Sequence, residues 1–165
     1  MASDPRLWEV TVVRAYGNYF DSWWNDALLG MKQGTRMPYA VISQVNGTVI
    51  GSTSYLNIVL PEQRLEIGST FYAYDGWGSQ VNPECKLLLM THAFETLGIR
   101  RVEYCVDAIN VRSRAAVKKL GAVQEGILRC HRNTWSGRRR DTVMFSVIDT
   151  EWSGVKQGLE ARVKS

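Results

Sequence analysis

Two segments of the chain have residue types and spacing that suit a bound phosphate group. The first, Tyr74-Asp-Gly-Trp-Gly-Ser-Gln-Val-Asn-Pro, lies between a predicted strand and an apolar predicted helix. The first backbone N–H groups of a helix have no partner inside the helix and lie at the positive end of its dipole. Glycines such as Gly76 and Gly78 let a phosphate approach those groups. Alone, the segment predicts either an anion cradle or an ordinary helix entrance.

Two other phosphate motifs are excluded by the same residues. A dinucleotide fingerprint needs a third glycine, but Val81 occupies that place. A P-loop needs the triplet Gly-Lys-Ser/Thr, which the sequence does not contain. A bound phosphate in this segment would therefore belong to neither ligand class.

A second strand-to-helix junction follows one crossover later in the chain. A predicted strand ends at Asp107, Asn110 is a candidate helix cap, and Gly121 is the predicted helix stop. One crossover separates the two junctions, so both helix starts are expected at the same edge of the sheet. Ligands of mixed α/β sheets bind at such an edge.

The elements that must position these junctions are predicted from the spacing of apolar residues. Helices are predicted at residues 18–30, 83–97, 111–120 and 149–164, and strands at residues 39–44, 48–55, 65–72, 101–107, 123–132 and 140–148. Asn46-Gly47 predicts a tight hairpin turn, while Asn82 and Pro83 predict the cap and first residue of the second helix. A strand–helix–strand crossover among antiparallel strands predicts an α/β (α+β) fold, with a mixed sheet flanked by helices.

The composition indicates one soluble domain over residues 1–165. The apolar runs are far shorter than the roughly 20 residues of a membrane span, and the N-terminus lacks the apolar core of a secretory signal. We therefore expect a cytoplasmic protein with no membrane contact. Three widely spaced cysteines, Cys85, Cys105 and Cys130, argue against a disulfide framework and against a metal site.

The net charge of +4 is concentrated in two arginine- and lysine-rich segments, at residues 112–119 and 129–140. Clustered positive charge suits nucleic acid, acidic substrates or a phosphorylated cofactor. Charge alone does not choose between these partners.

Taken together, the two junctions resemble the GNAT acetyltransferases, and specifically their RimJ/RimL-like branch. The resemblance runs in register over roughly residues 37–160. The matching pieces are Glu66-Ile-Gly68-Ser-Thr-Phe-Tyr72, Trp77-Gly78, Val81-Asn82, Lys86-Leu-Leu-Leu-Met-x-His-Ala-Phe94, Asp107-Ala-x-Asn110-x-Arg-Ser113-Arg, Leu120-Gly-Ala, Glu125-Gly-x-Leu-Arg129, Arg140-Asp141 and Glu151-Trp152.

The resemblance implies a three-layer fold whose central sheet is splayed to bind acetyl-coenzyme A. Backbone N–H groups from Asp75 onwards would hold the pyrophosphate. The end of the preceding strand and Asn110 would bind the pantetheine arm. Arg114 or Lys118 would reach the nucleotide phosphates. The implied cofactor-binding residues are Phe71, Tyr72, Gly76, Gly78, Ser79, Gln80, Val81, Asn82, Asn110, Arg114 and Lys118.

The same resemblance suggests two catalytic residues. Glu66 is the candidate base, directly or through water, and its alternative interpretation is a solvated carboxylate at a strand end. Ser113 is the candidate acid for the leaving thiolate, and its alternative interpretation is a serine in the first turn of a helix. The implied reaction is direct attack by a primary amine, on a protein N-terminus or a small molecule.

The chain also departs from the family pattern. Asp75 replaces the usual basic or amide residue of the pyrophosphate loop, and Gln80 replaces its second glycine or alanine. The strand and helix with which family members usually begin are expected to be missing, which would leave a sheet edge bare or in need of a partner. Two alternatives stay open: a non-catalytic acyl-coenzyme A sensor and a basic RNA- or ribosome-binding module. A homodimer is compatible with each of them.

Overall fold

The computed structural model describes residues 7–73 and 76–164 of the chain. The strands are β1 (Arg36–Ile42), β2 (Val49–Val59), β3 (Arg64–Tyr72), β4 (Arg101–Asp107), β5 (Val123–Asn133) and β6 (Arg139–Ile148). The helices are α1 (Phe20–Lys32), α2 (Val81–Thr91), α3 (Val111–Lys119) and α4 (Trp152–Lys164), and a short π-helical turn at His92–Thr96 continues α2. No helix of the described residues is long and apolar enough to cross a membrane.

The six strands form one sheet in the order β1-β2-β3-β4-β6-β5. All neighbouring pairs are antiparallel except β3 and β4, which are parallel because α2 crosses over between them. Within the described part of the chain, β1 and β5 are the edge strands. This arrangement confirms the predicted mixed sheet with flanking helices.

The parallel pair β3–β4 is short, and its end opens the sheet. The two strands are in register only from Arg64 opposite Arg101 to Glu66 opposite Glu103. Beyond Glu66, β3 has a bulge against β2, and Ser69 adopts a left-handed φ of 47° at this bulge. Bulges bend a strand and increase its twist. The strands therefore separate after Glu66, and a wedge opens between them.

The two faces of the sheet bury different groups of residues. On one face, Ile67 and Tyr104 belong to a large apolar core together with Met90 of α2. On the other face, Phe71 lies between Trp8 and Trp23, with ring centroids 5.1 and 5.7 Å away. Aromatic pairs at such distances add to the hydrophobic burial. The wedge between β3 and β4 consequently has a packed wall on each side.

Two local predictions are wrong. The tight turn at Asn46-Gly47 needs a positive φ at both residues, but only Gly47 has one. The hairpin instead closes over a longer loop, in which the Ser43 N–H donates to the Thr48 carbonyl and the Gly47 N–H donates to the Ser43 carbonyl. The Asn46 side chain instead accepts the Thr48 N–H at 3.1 Å. Helix α2 begins at Val81, so Asn82 is not its cap and Pro83 is not its first residue; both lie inside the first turn.

Candidate functional site

The wedge between β3 and β4 leads into a cavity of about 490 Å³. Strand ends and helix starts from both predicted junctions line it, as does the segment of residues 7–13. Of the residues predicted from the sequence, the wall includes Glu66, Phe71, Tyr72, Gly76, Gly78, Asn82, Asn110 and Ser113. The structure therefore brings the two junctions to one site.

The loop before α2 has the geometry of an anion cradle. Gly78 has a φ of 76°, with no atom within 4 Å of the place where a Cβ would be, so a side chain there would be strained and would point into open space. No acceptor among the described residues is bonded to the backbone N–H of Gly78, Ser79 or Gln80. Asp75 lies outside the described residues.

Gln80, the other departure from the family pattern, sits in ordinary right-handed backbone with φ −72° and ψ −11°. Its carbonyl accepts the Glu84 N–H at 3.0 Å, and its side chain is absent from the cavity wall. Gln80 therefore needs no glycine-like conformation. It also leaves the approach to the loop open.

The second junction is fixed by a helix cap, as predicted. The Asn110 side chain accepts the Ser113 N–H at 3.0 Å at the start of α3. In the same turn, the Arg112 guanidinium lies 3.3 Å from the ring centroid of Trp77. Trp77 in turn donates its indole N–H to the Tyr72 carbonyl at 3.3 Å. These contacts connect the start of α3 to the loop before α2.

Five predicted cofactor residues do not line the cavity: Ser79, Gln80, Val81, Arg114 and Lys118. The Ser79 hydroxyl accepts the Val81 N–H at 3.3 Å and so belongs to the loop itself. Arg114 donates to the Ala108 carbonyl at 3.0 Å, which turns its guanidinium toward the end of β4. Arg112, which the sequence did not single out, is the arginine of α3 on the cavity wall.

The Glu66 carboxyl is buried where β3 and β4 separate, and only 4% of the residue is exposed. Asn57 donates its amide to Glu66 Oε2 at 2.8 Å. Burial raises the pKa of Glu66 above its ordinary value, while the nearby Arg132, Cys105 and Arg140 counteract part of this rise. A buried carboxyl with a raised pKa is suited to accept a proton. The alternative of a solvated carboxylate is thereby excluded.

Gly68 provides the space that this carboxyl occupies. A Cβ at Gly68 would lie 2.8 Å from Glu66 Oε1 and 2.9 Å from Leu56 Cδ1. Both distances are too short for non-bonded atoms. A residue larger than glycine at position 68 would therefore displace Glu66.

A buried lysine on the same wall, Lys86, was not among the site residues predicted from the sequence. Lys86 is 5% exposed and donates from Nζ to Thr70 Oγ1 at 3.0 Å. Its Nζ also lies 6.0 Å from the ring centroid of Tyr104. Burial lowers the pKa of Lys86 to about 8. Lys86 follows Pro83 by three residues and precedes Met90 by four, and this spacing could have placed it on the buried stripe of α2.

Three arginines add positive charge to the Glu66 side of the cavity: Arg36, Arg132 and Arg140. Arg36 donates to the hydroxyls of Ser54 and Ser69 at 3.2 Å each. Arg140 donates to the Cys105 carbonyl at 2.8 Å, and its buried Nε has no partner within the described chain. These side chains favour a ligand with a negative charge.

The segment of residues 7–13 covers part of the cavity and is tied to the β5–β6 hairpin. The Trp135 indole at the hairpin turn donates to the Trp8 carbonyl at 2.6 Å. The Arg14 guanidinium lies 4.7 Å from the Trp135 ring centroid and 4.3 Å from that of Tyr16. The covering segment is thus held by contacts with a distant part of the chain.

Comparison with known proteins identifies relatives of this chain. Residues 1–123 match the family model described as "Acetyltransferase (GNAT) domain". The chain is 31% identical over 112 residues to the Bacillus subtilis protein named "Putative ribosomal N-acetyltransferase YdaF". That match spans 67% of this chain and 60% of the relative, so about two fifths of the relative's length has no counterpart in it.

Solved structures share the fold. A T. thermophilus protein, described as a "putative acetyltransferase", superposes with a TM-score of 0.87 at 34% identity, over 98% of this chain and 84% of that chain. RimJ of Mycobacterium smegmatis, solved with CoA-disulfide, has a TM-score of 0.75 at 20% identity, over 87% of this chain and 68% of that chain. The latter likeness concerns the fold alone.

Proposed function

Because the chain belongs to the GNAT family of acetyltransferase enzymes, we propose that it transfers the acetyl group of acetyl-coenzyme A to a primary amine. The observation that carries this proposal is the wedge beyond the Glu66–Glu103 pair, where β3 and β4 no longer pair. A strand edge without a neighbouring strand can hydrogen-bond an extended ligand such as a pantetheine arm.

The residues around the wedge suit coenzyme A along its whole length. Phe71 and Tyr72 offer the backbone of β3 to the pantetheine arm, with Asn110 on the opposite side. The N–H groups of residues 78–80 and the first turn of α2 suit the pyrophosphate. Arg112, stacked on Trp77 beside this loop, takes the role of phosphate contact that the sequence assigned to Arg114 or Lys118.

The chemistry assigned to the site is direct transfer from the thioester to the amine. Glu66, directly or through water, removes the proton from the acceptor nitrogen, and its raised pKa supports this role. Backbone N–H groups at the bulge around Ser69 suit the polarised thioester carbonyl. Ser113, which the sequence predicted as the acid for the leaving thiolate, lies on the same wall and can offer its hydroxyl to the sulfur.

For the acceptor, we propose a primary amine with a carboxylate nearby, carried by a protein N-terminus or a small molecule. Arg132 and Arg140 near Glu66 support a negatively charged group. The name of the Bacillus subtilis relative refers to a ribosomal substrate, which favours the protein N-terminus. Three classes of acceptor test these options: peptides with acidic residues after a free N-terminus, the same peptides with amides in place of the acids, and small amino acids. Comparing the first two tests the need for a carboxylate, and comparing peptides with amino acids separates a protein N-terminus from a small molecule.

The test combines calorimetry with acetyl-coenzyme A and a thiol-release assay over these acceptors. Gly78→Ala should weaken acetyl-coenzyme A binding, because the cradle loop needs a left-handed residue. Gly98→Ala is the matched control, since Gly98 has a φ of 64° with equally open surroundings but lies beyond the far end of α2. Its binding should equal that of the wild type.

The outcomes separate the alternatives. Binding without thiol release from any acceptor would support a non-catalytic sensor. Salt-dependent RNA binding by a chain that binds no acetyl-coenzyme A would support an RNA- or ribosome-binding module. Either result overturns the proposed function.

A further inference from the structure

Lys86 lies at the point where the cavity passes between the separated strands. It is in the second turn of α2, and its Nζ contacts a residue from each strand: Thr70 of β3 through a hydrogen bond and Tyr104 of β4 through its ring face. The cavity wall contains all three side chains. Lys86 therefore spans the gap that the reacting end of the ligand has to cross.

The ammonium group of Lys86 has more hydrogen-bonding capacity than the protein uses. An ammonium has three N–H donors, and Thr70 Oγ1 accepts one of them at 3.0 Å. Thr70 Oγ1 also lies 2.7 Å from Thr53 Oγ1, so the acceptor is itself part of a hydroxyl pair. Throughout residues 7–73 and 76–164, no carboxylate forms an ion pair with Lys86.

A buried charge without a counter-ion is unfavourable and is rarely retained without a function. The two carboxylates on the same wall are engaged elsewhere: Glu66 accepts from Asn57, and Asp107 pairs with Arg138. The position of Lys86 suits a ligand that brings a negative charge to it. In an acetyl transfer from a thioester, that charge develops on the departing sulfur.

On the premise of the proposed function, we propose that the Lys86 ammonium group is the counter-ion of the departing thiolate and, in place of the Ser113 hydroxyl, the acid that protonates it; Ser113 keeps a neutral hydrogen bond to the sulfur. The acceptor nitrogen bonds to the acetyl carbon while the C–S bond breaks and its electron pair goes to sulfur. One proton passes from Lys86 Nζ to sulfur, and the proton lost by the acceptor nitrogen goes to Glu66. Both side chains then exchange protons with solvent to return to their starting states.

The lowered pKa of Lys86 supports this role, because an acid with a pKa of about 8 is well matched to an alkyl thiol, with a pKa of about 8.5. Two titratable groups lie near the Lys86 ammonium: Cys85 on the same helix and Tyr104 on β4. A third, Tyr72 of β3, lies near Cys85 and Tyr104. Burial raises the pKa of Tyr72 and of Tyr104 far above the ordinary value, so both stay neutral over the range in which Lys86 titrates. Burial also raises the pKa of the Cys85 thiol.

A first experiment uses the wild-type protein and needs no turnover. Coenzyme A and desulfo-coenzyme A, which has no sulfur, are titrated by calorimetry from about pH 6 to about pH 9, and thiolate formation is followed by ultraviolet absorbance. We expect bound coenzyme A to ionise at a lower pH than the free thiol and to bind more tightly than the desulfo analogue. Equal affinities and an unshifted thiol would overturn the proposal.

The second experiment compares Lys86→Met with Ser113→Ala. Lys86→Met should lower kcat about a hundredfold and abolish the shift of the bound thiol, while desulfo-coenzyme A binds as before. Ser113→Ala should keep most of the thiol shift, because it removes a neutral hydroxyl and leaves the Lys86 charge in place. A Lys86→Met protein with normal turnover, or a Ser113→Ala protein that loses the thiol shift, would overturn the role of Lys86. Wild-type protein that releases no thiol would instead refute the proposed function on which this role depends.

Discussion

Replacing Lys86 by methionine should make the protein more stable. Methionine has nearly the same length, is unbranched and fits a buried stripe of a helix. The substitution removes a charge from a residue that is 5% exposed and has no ion-pair partner in the described chain. A lysine buried for structural reasons would give the opposite result, since its loss would break contacts.

The size of the effect follows from the pKa of Lys86. Its fall from 10.5 to about 8 corresponds to about 3 kcal/mol, because a tenfold change in an acid constant is worth about 1.4 kcal/mol. The pKa of Lys86 is lower in the folded protein than in the unfolded chain, so the buried charge lowers the free energy of unfolding by its full amount below pH 8. This destabilisation disappears as the pH rises toward 10.5. We therefore expect Lys86→Met to be more stable by up to about 3 kcal/mol at neutral pH, with a difference that shrinks above pH 8.

The assay is urea denaturation of both proteins over a series of pH values. Tyrosines with raised pKa values are common to both proteins and cancel in the difference. Lys86 lowers the pKa of Cys85, so Cys85 is replaced by serine in both proteins. The exposed Lys119 on α3 provides the control, because Lys119→Met should show no such pH-dependent gain. A Lys86→Met protein that is less stable at neutral pH, or a difference that does not change with pH, would refute the reasoning.

Three further predictions concern the same cavity. Glu66→Gln should lower kcat about a hundredfold and remove the acid limb of the pH–rate profile, which in the wild type lies above the ordinary carboxyl range because the pKa of Glu66 is raised; an unchanged profile would exclude Glu66 as base. Gly68→Ala should reduce turnover while acetyl-coenzyme A binding measured by calorimetry persists, since its Cβ would meet Glu66 Oε1 at 2.8 Å; normal turnover would show that the carboxyl has room to move. Asn110→Ala should destabilise the protein by about 1 kcal/mol in thermal unfolding, because the Ser113 N–H loses its cap. Asn110→Asp restores an acceptor and should recover most of that stability.

Local patterns in the sequence predicted the helices and strands well, because helices and strands depend mainly on residues that are close together in the sequence. Alternating apolar residues located β3 and β4, and the Asn110 cap was identified from its place before a helical segment. The prediction of a tight turn at Asn46-Gly47 was wrong because the Asn46 side chain accepts the Thr48 N–H and stabilises a longer loop. A turn signal in the sequence does not reveal such a competing bond.

The cavity wall was harder to predict, because it depends on which face of a helix meets the wedge. Leu97, at the end of the helix predicted over residues 83–97, is 45% exposed, whereas Lys86 is one of the buried residues of α2. Similarly, Arg112 and Arg114 are two residues apart on α3, and only the direction of the helix decides that Arg112 reaches the cavity. Both outcomes are set by contacts between residues far apart in sequence.

The bond between the Trp135 indole and the Trp8 carbonyl joins residues 127 positions apart, and it has a consequence for synthesis on the ribosome. The segment of residues 7–13, which covers the cavity, is synthesised before the β5–β6 hairpin that holds it. A nascent chain therefore completes the cavity only after the β5–β6 hairpin has emerged. Acetyl-coenzyme A, which would bind the completed cavity, can then stabilise the finished chain but not its early intermediates.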